Sequence, residues 1–157
     1  MKALSVTQPW AQLIADGRKR VETRTWSTHY RGWLAIHASA GWRASDRDYA
    51  QTLGYGVDLR RGSVVALVVL MDVVPVERIR DHLSEAELRF GDYADGRYAW
   101  LLSGVLRLPT PIPARGALSL WSWPAGDALT PRRYPMPSPG HVAILIPGAL
   151  SKRPHSV

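Results

Sequence analysis

Cysteine is absent from the 157-residue sequence, so neither a disulfide bond nor a thiolate zinc site can form. Long apolar runs are absent as well, because no stretch approaches the ~20 residues that a membrane-spanning helix requires. The longest run, residues 64–76, is interrupted by Asp72 and Pro75 and is rich in valine, which predicts a buried strand. Met1 and Lys2 lead directly into strand-like sequence, so we expect no signal peptide. These absences predict a soluble, cytoplasmic protein with no membrane partner.

The usual patterns for metal and phosphate binding are also missing. Asp46 and Asp48 lie two residues apart on a predicted helix and therefore point in different directions, and no other carboxylate or histidine pair has ligand spacing. The Gly54-Tyr55-Gly56 segment lacks the third glycine and the helix start of a phosphate-binding loop. No GxSxG motif indicates a nucleophilic serine. We therefore expect no metal ion and no cofactor.

The charge of the chain favours an anionic partner. The formal net charge is +7 and the isoelectric point is near 10.2, which is high for a small domain and is typical of proteins that bind nucleic acid. Lysine is nevertheless scarce, since all the basic residues except Lys2, Lys19 and Lys152 are arginine. A GC-rich genome would produce the same preference for arginine without selection for binding, so charge alone leaves that alternative open.

The length and the pattern of apolar residues predict one domain over residues 1–150, followed by a frayed basic tail over residues 151–157. We expect strands over residues 3–6, 20–24, 33–38, 63–74, 98–102, 105–108 and 142–146. We expect helices from Pro9 to about Gly17 and over residues 45–53 and 84–89, the last two with Ser45 and Ser84 as N-caps. A proline-rich loop is expected over residues 124–140. Short strands without regular βαβ alternation favour an α+β fold, a small mixed β-barrel with peripheral helices.

Residues 8–39 contain the densest chemical signal. The segments QPWA, GRKRVETRTW, YRG and IHAS bring arginine, lysine, tryptophan, tyrosine and histidine together with the carboxylate of Glu22. Cations neutralise phosphate, flat rings stack on bases, and a carboxylate accepts from an exocyclic amine or moves a proton. The mixture therefore suits an anionic ligand that carries a base.

The strand over residues 20–24 places Glu22 and Arg24 on one face, because side chains alternate along a strand. Two interpretations stay open, a structural ion pair at the mouth of the barrel and a pair that contacts a ligand. Lys19 joins this face only if the turn after Gly17 reorients it, and otherwise it is a solvated surface lysine. Trp26 lies on the same nominal face and is the preferred cleft tryptophan.

Two other candidates lie on the next predicted strand. His37 and Ser39 alternate together there and could bond a base edge or a phosphate, although a histidine in a strand more often has a structural role. Trp10, Trp100 and Trp121 are assigned to packing.

The order glycine, lysine, glutamate, arginine in Gly17, Lys19, Glu22 and Arg24 resembles the GxKxxExR signature of the ASCH domain family, which has a PUA-like β-barrel fold. Flanking matches support the resemblance over most of residues 1–123, and they include QPWA, IHAS, YAW at residues 98–100 and PIP at residues 111–113. The resemblance implies a basic cleft at the signature segment that binds single-stranded nucleic acid, with RNA favoured. In our binding hypothesis for such a cleft, Lys19, Arg24 and Arg31 contact phosphates and Trp26 stacks on a base.

The resemblance also raises an alternative, a small hydrolase. Some bacterial relatives remove the acetyl group from acetylcytidine with a lysine and a threonine of this segment, and others have been linked to ribonuclease activity. Lys19 matches the lysine, but Glu22 stands where the nucleophilic threonine would be. A carboxylate cannot replace that hydroxyl in direct attack on the amide, so a hydrolase here would use Lys19 and Glu22 for proton transfer.

Overall fold

The computed structural model describes residues 1–125 and Leu129. The predicted strand over residues 142–146, most of the predicted proline-rich loop and the predicted tail over residues 151–157 lie outside the described residues. Within the described residues, no helix is long and apolar enough to span a membrane.

The described residues form six strands and three α-helices, which confirms the α+β class. The strands are β1 Lys2–Val6, β2 Val21–Arg24, β3 Gly32–Ala38, β4 Ser63–Pro75, β5 Tyr98–Pro113 and β6 Leu120–Ser122. The helices are α1 Trp10–Ala15, α2 Ala44–Thr52 and α3 Glu85–Arg89, and two short 3-10 turns occupy Val76–Arg78 and Arg80–His82.

All six strands belong to one sheet in the order β2-β5-β4-β3-β1-β6. The sheet is mixed, as predicted, because β1 pairs with β3 in parallel and the other pairs are antiparallel. It curls into a half-barrel, and β2 lies at one end of the strand order while β1 and β6 lie at the other. The open side between β2 and β1 is where the candidate site is found.

The long central strands explain why the sheet curls. β5 is one strand where the sequence suggested two, over residues 98–102 and 105–108. Gly104 has a φ of 56° and sits where the register between β4 and β5 shifts, so the chain bends without ending the strand. The register of this pair also shifts at two further points along the strands. Bulges of this kind increase twist and curvature.

The valine-rich run behaves as its composition predicts. β4 is buried on both faces: Val65 and Val68 belong to one core cluster, while Val64 and Val69 belong to another. The first cluster also contains Ile14 of α1, so this short helix packs against the sheet through its apolar face. Burial on two faces requires apolar side chains at every position, which removes the usual alternation.

Two predicted helix caps have different outcomes. Ser84 is the N-cap of α3, and its hydroxyl accepts a hydrogen bond of 3.1 Å from the backbone N–H of Glu87. The prediction for Ser45 was wrong, because α2 begins at Ala44 after an extended Arg43 and Ser45 lies inside the helix. No side-chain hydrogen bond caps α2, and the helix begins directly after the extended backbone of Arg43.

Candidate functional site

A cleft of about 570 Å³ lies on the open side of the half-barrel. Its walls come from the end of β1, from β2 and the residues after it, from Trp10, from the segment before α2, and from Arg97. Arg24 of β2 donates a hydrogen bond of 2.8 Å from Nη2 to the carbonyl of Ser5 on β1. This side chain therefore bridges two strands that do not pair, and the cleft lies beside the bridge.

Glu22 lines the cleft, and its carboxylate is held by two cations. Its Oε1 lies 3.2 Å from Arg24 Nε and its Oε2 lies 3.5 Å from Lys19 Nζ. The Glu22 side chain is 12% exposed, and the residue lines the cleft. The convergence of Lys19, Glu22 and Arg24, which the sequence left conditional on the turn after Gly17, is observed. Glu22 is both a member of this ion-pair cluster and a wall of the cleft.

Lys19 is turned inward by the chain between α1 and β2. Gly17 has a φ of 71°, and the backbone N–H groups of Arg18 and Lys19 both bond the carbonyl of Leu13. Lys19 is 1% exposed, and Nζ donates to the carbonyls of Val21 at 2.5 Å and Phe90 at 2.8 Å. Lys19 is therefore no solvated surface lysine; it lies behind Glu22 and does not line the cleft.

A second buried carboxylate fixes the start of β2. Glu87 of α3 accepts hydrogen bonds from the backbone N–H groups of Arg20 at 3.0 Å and Val21 at 3.1 Å. The hydroxyl of Tyr93 donates to Glu87 at 3.4 Å. Burial, together with the nearby carboxylates of Glu87 and Glu22, raises the pKa of Tyr93 well above its ordinary value. Tyr93 therefore remains a neutral donor and helps to hold the strand that carries Glu22.

Three tryptophans line the cleft. Trp26 does so as predicted, and its ring meets Trp100 edge to face with centroids 4.7 Å apart. Trp10, which the sequence assigned to packing, contacts the core and also lines the cleft. Trp42 lies in the segment before α2, with the guanidinium of Arg61 over its ring at 5.3 Å. Base-sized flat surfaces are thus available from three separate parts of the chain.

Three buried N–H groups in this cleft lack a hydrogen-bond acceptor. Among the described residues, the buried side-chain nitrogen and oxygen atoms without a hydrogen bond are Arg24 Nε, Trp42 Nε1 and Arg97 Nε. Arg24 Nε is close to Glu22, but its N–H is not directed along a hydrogen bond to that oxygen. All three residues line the same cleft. Buried polar groups are nearly always paired in native proteins, and a ligand with acceptor atoms would supply the partners that these donors lack.

A second cavity of about 480 Å³ shares residues with the cleft. Trp10, Glu22, Thr23 and Arg97 line both, and the remaining walls of the second cavity come from Tyr49, Arg89, Phe90, Gly91 and Asp92. The rings of Trp10 and Tyr49 lie with centroids 5.9 Å apart at an angle of 31°. The two spaces therefore meet at one wall.

Two residues proposed from the sequence, Arg31 and His37, do not line the cleft. Arg31 donates to Asp72 Oδ1 at 2.8 Å and to the carbonyls of Thr28 and Tyr30, and it lines neither cavity. His37 is 2% exposed, and its ring nitrogens lie 3.1 Å from Ser5 Oγ and 2.9 Å from the carbonyl of Ala114. Burial lowers its pKa.

Of His37 and Ser39, only Ser39 lines the cleft. It lines the cleft and also a separate cavity of about 420 Å³ that contains His37. His37 and Ser39 therefore share one cavity, but only Ser39 also faces the Glu22 cleft.

Sequence reasoning missed several residues that line the cleft. Trp42, Arg43 and Asp46 precede or begin α2, and Arg97 directly precedes β5. None belongs to the signature segment. The cluster of tryptophan and arginine at residues 42–43 was the available signal, because both residue types are common at nucleic-acid interfaces.

The described residues contain no group of three or more histidine, aspartate or glutamate side chains placed to hold a metal ion. The cleft is lined by arginines, by tryptophans and by two carboxylates, Asp46 and the ion-paired Glu22. It can neutralise an anion, stack a flat ring, donate to acceptors and accept from an amine.

Fold, signature and cleft together define an α+β domain with an arginine- and tryptophan-lined cleft on the open side of a half-barrel. The model of the ASCH domain matches residues 4–111, and the chain belongs to the ASCH domain family. Activating signal cointegrator 1 from Mus musculus is 25% identical over 129 residues, and the human protein is 27% identical over 128 residues. Each match covers 75% of this chain but only 21% of the relative.

Crystal structures of ASCH from Zymomonas mobilis are similar at 22% identity, with a TM-score of 0.47, over 71% of this chain and 72% of that chain.

Proposed function

We propose that the cleft binds single-stranded nucleic acid, with RNA favoured, and accommodates one base beside Glu22. The ASCH family, to which the chain belongs, is associated with RNA binding. The observation that carries the proposal is that Arg24, Trp42 and Arg97, which line one cleft, each carry a buried side-chain N–H without a hydrogen bond to the protein. These donors require acceptors, and a nucleotide supplies them as phosphate oxygens and base atoms.

The other features of the cleft agree with this ligand. Its volume of about 570 Å³ falls within the ~300–1,000 Å³ typical of small-ligand pockets. Trp10, Trp26 and Trp42 offer ring faces or edges from different walls, and each base that stacks on an aromatic ring contributes ~1–3 kcal/mol. Glu22 is an acceptor for an exocyclic amino group. Adenine, cytosine and guanine carry such a group, and uracil does not.

The test is binding of a labelled single-stranded RNA at several salt concentrations. Log K is expected to fall with log salt at a slope near −0.7 per phosphate neutralised, or roughly −2 to −4 for three to five contacts. Arg43→Ala and Arg78→Ala form a matched pair, because both arginines are exposed and only Arg43 lines the cleft. Arg43→Ala should weaken binding and lower the slope by ~0.7, while Arg78→Ala should do neither.

Absence of binding to any oligonucleotide at low salt would exclude this function. Equal losses from Arg43→Ala and Arg78→Ala would instead mean that binding depends on overall charge and does not use the cleft. DNA of the same sequence, measured in parallel, decides whether RNA is preferred.

Hydrolysis of a nucleoside amide or of RNA is the second candidate, favoured by the 3.5 Å contact between Lys19 Nζ and Glu22 Oε2. Glu22 lines the cleft and is available to activate water, whereas Lys19 would act through Glu22. The assay incubates the protein with acetylcytidine and, separately, with labelled single-stranded RNA. Turnover that Glu22→Gln abolishes while the protein stays folded would establish an enzyme. Turnover that survives this change would have another source.

A further inference from the structure

The second cavity has the composition of a base site. Its aromatic lining residues are Trp10, Tyr49 and Phe90, and its charged lining residues are Arg89 and Arg97 together with the carboxylates Glu22 and Asp92. The hydroxyl of Tyr49 donates to the carbonyl of Arg89 at 2.9 Å, which connects α2 to the end of α3. The walls of this cavity are therefore held by secondary structure, and its volume of about 480 Å³ is again in the range of small-ligand pockets.

Arg97 is the cation that the two cavities share. Arg24 and Arg43 line only the first cavity and Arg89 lines only the second, whereas Arg97 lines both. A single strand that placed one base in each cavity would carry its linking phosphate past the wall between them. That position requires a positive group facing both spaces, and Arg97 provides one.

The Arg97 side chain is poorly neutralised by its protein neighbours. Its Nε is buried without a hydrogen bond. Its Nη1 lies 3.4 Å from Asp92 Oδ2, on an aspartate side chain that is 61% exposed, and its Nη2 donates to the carbonyl of Thr23 at 3.4 Å. Both contacts are long for charge-assisted hydrogen bonds, which are typically ~2.7–2.9 Å. The guanidinium therefore retains the capacity to bind a phosphate.

We propose that the second cavity receives the nucleoside next to the one in the first cavity, so that the minimal complete ligand is a dinucleotide with its linking phosphodiester on Arg97. This inference rests on the proposed function and makes it more specific. Asp92 then acts as a competitor, because its carboxylate lines the second cavity and pairs with the guanidinium that the phosphate would use.

The experiment measures, by titration calorimetry at low salt, the affinity for nucleosides, for 3′ and 5′ mononucleotides, and for RNA dinucleoside monophosphates of all base combinations. The best dinucleotide should bind about 5- to 140-fold tighter than either mononucleotide of its bases, which is the ~1–3 kcal/mol of a second stacked base converted to affinity. Lengthening to a trinucleotide should add less than that.

Substitutions of Arg97 and Asp92 test whether these residues act on the ligand or only stabilise the fold. Arg97→Gln should lower dinucleotide affinity by a larger factor than nucleoside affinity, because only the dinucleotide carries the linking phosphate. Asp92→Asn should tighten dinucleotide binding severalfold and change nucleoside affinity by a smaller factor. Arg78→Gln is the matched control for loss of one positive charge and should change neither affinity. Thermal melting of each variant checks that it is folded.

Three results would overturn the inference while the proposed function stands: a mononucleotide that binds as tightly as the best dinucleotide, an Arg97→Gln variant that loses nucleoside and dinucleotide affinity equally, and an Asp92→Asn variant that binds the dinucleotide no tighter. If no oligonucleotide of any length binds, the proposed function fails, and this inference fails with it. The two failures are therefore distinguishable.

Discussion

Replacement of Lys19 by methionine is the sharpest test of how the site is built. Methionine keeps a long unbranched side chain but removes the ammonium group. In the folded protein this group is 1% exposed, donates to the carbonyls of Val21 and Phe90, and lies 3.5 Å from Glu22 Oε2. The change therefore leaves two carbonyls without this donor and one side of the carboxylate without a counterion.

The expected loss of stability follows from that geometry. Removing one partner of a buried ion pair typically costs about 3–5 kcal/mol, because the remaining charge stays buried and uncompensated. For a chain of this length, each kcal/mol lowers the melting temperature by about 2–4 °C, so Lys19→Met should lower it by roughly 6–20 °C. Lys2→Met is the control. The Lys2 ammonium donates to Ser122 Oγ at the surface, and its loss should change stability by less than about 0.5 kcal/mol.

The assay is urea denaturation at neutral pH, followed by intrinsic tryptophan fluorescence. A double-mutant cycle with Glu22→Gln supplies the second readout. The double variant should cost less than the sum of the single changes, by about 0.5–3 kcal/mol, because it removes both charges of the pair. A cost below about 1 kcal/mol for Lys19→Met, or strictly additive effects, would refute a structural role for Lys19 behind the cleft.

Three further predictions concern the parts that surround the cleft. Glu87→Ala should destabilise the fold by at least about 2 kcal/mol in urea denaturation, because it leaves the backbone N–H groups of Arg20 and Val21 without their acceptor. A loss of stability below about 1 kcal/mol would contradict this prediction. Gly116→Ala should cost about 1–3 kcal/mol, because the added Cβ would lie 2.5 Å from His37 Cε1 and 2.8 Å from Ser5 Oγ. Gly41→Ala, whose Cβ meets no atom within 4 Å, is its matched control, and equal melting temperatures for the two variants would show that the contact is not tight. Burial lowers the pKa of folded His37 below its unfolded value of ~6.5, so protonation favours the unfolded chain. The stability that the neutral His37 ring contributes is therefore present above about pH 6.5 and is lost as the pH falls through the folded pKa. The fall in urea midpoint between about pH 7.5 and 5.5 should therefore be smaller in His37→Gln than in the wild type, and an unchanged fall would count against the prediction.

The sequence predicted the strands well because their signals are local. Burial on two faces makes β4 a continuous apolar run, and alternation along β2 puts Glu22 and Arg24 on the same face. The break predicted near Gly104 was wrong for a reason that lies outside local sequence. A glycine that would end an isolated strand is tolerated in β5, because pairing with β4 continues on both sides of it.

Other features of the site depend on contacts between distant residues. Arg31, expected on a phosphate, pairs with Asp72, which is 41 positions away in the chain. His37 bonds Ser5 and Ala114, so it faces a different cavity from Glu22. In each case the sequence correctly indicated a side chain that forms polar contacts. The strand order determines which residue becomes its hydrogen-bond partner.

The sequence by itself determined the α+β class, the family signature and the side-chain alternation that brings Glu22 and Arg24 together, since each of these depends on residues a few positions apart. Only the tertiary structure decided what surrounds that pair. The curl of the sheet brings β1 against β2, adds Trp42 and Arg97 to the cleft, and turns Lys19 into the interior. Long-range strand pairing and side-chain burial set these contacts, and no local period in the sequence encodes them.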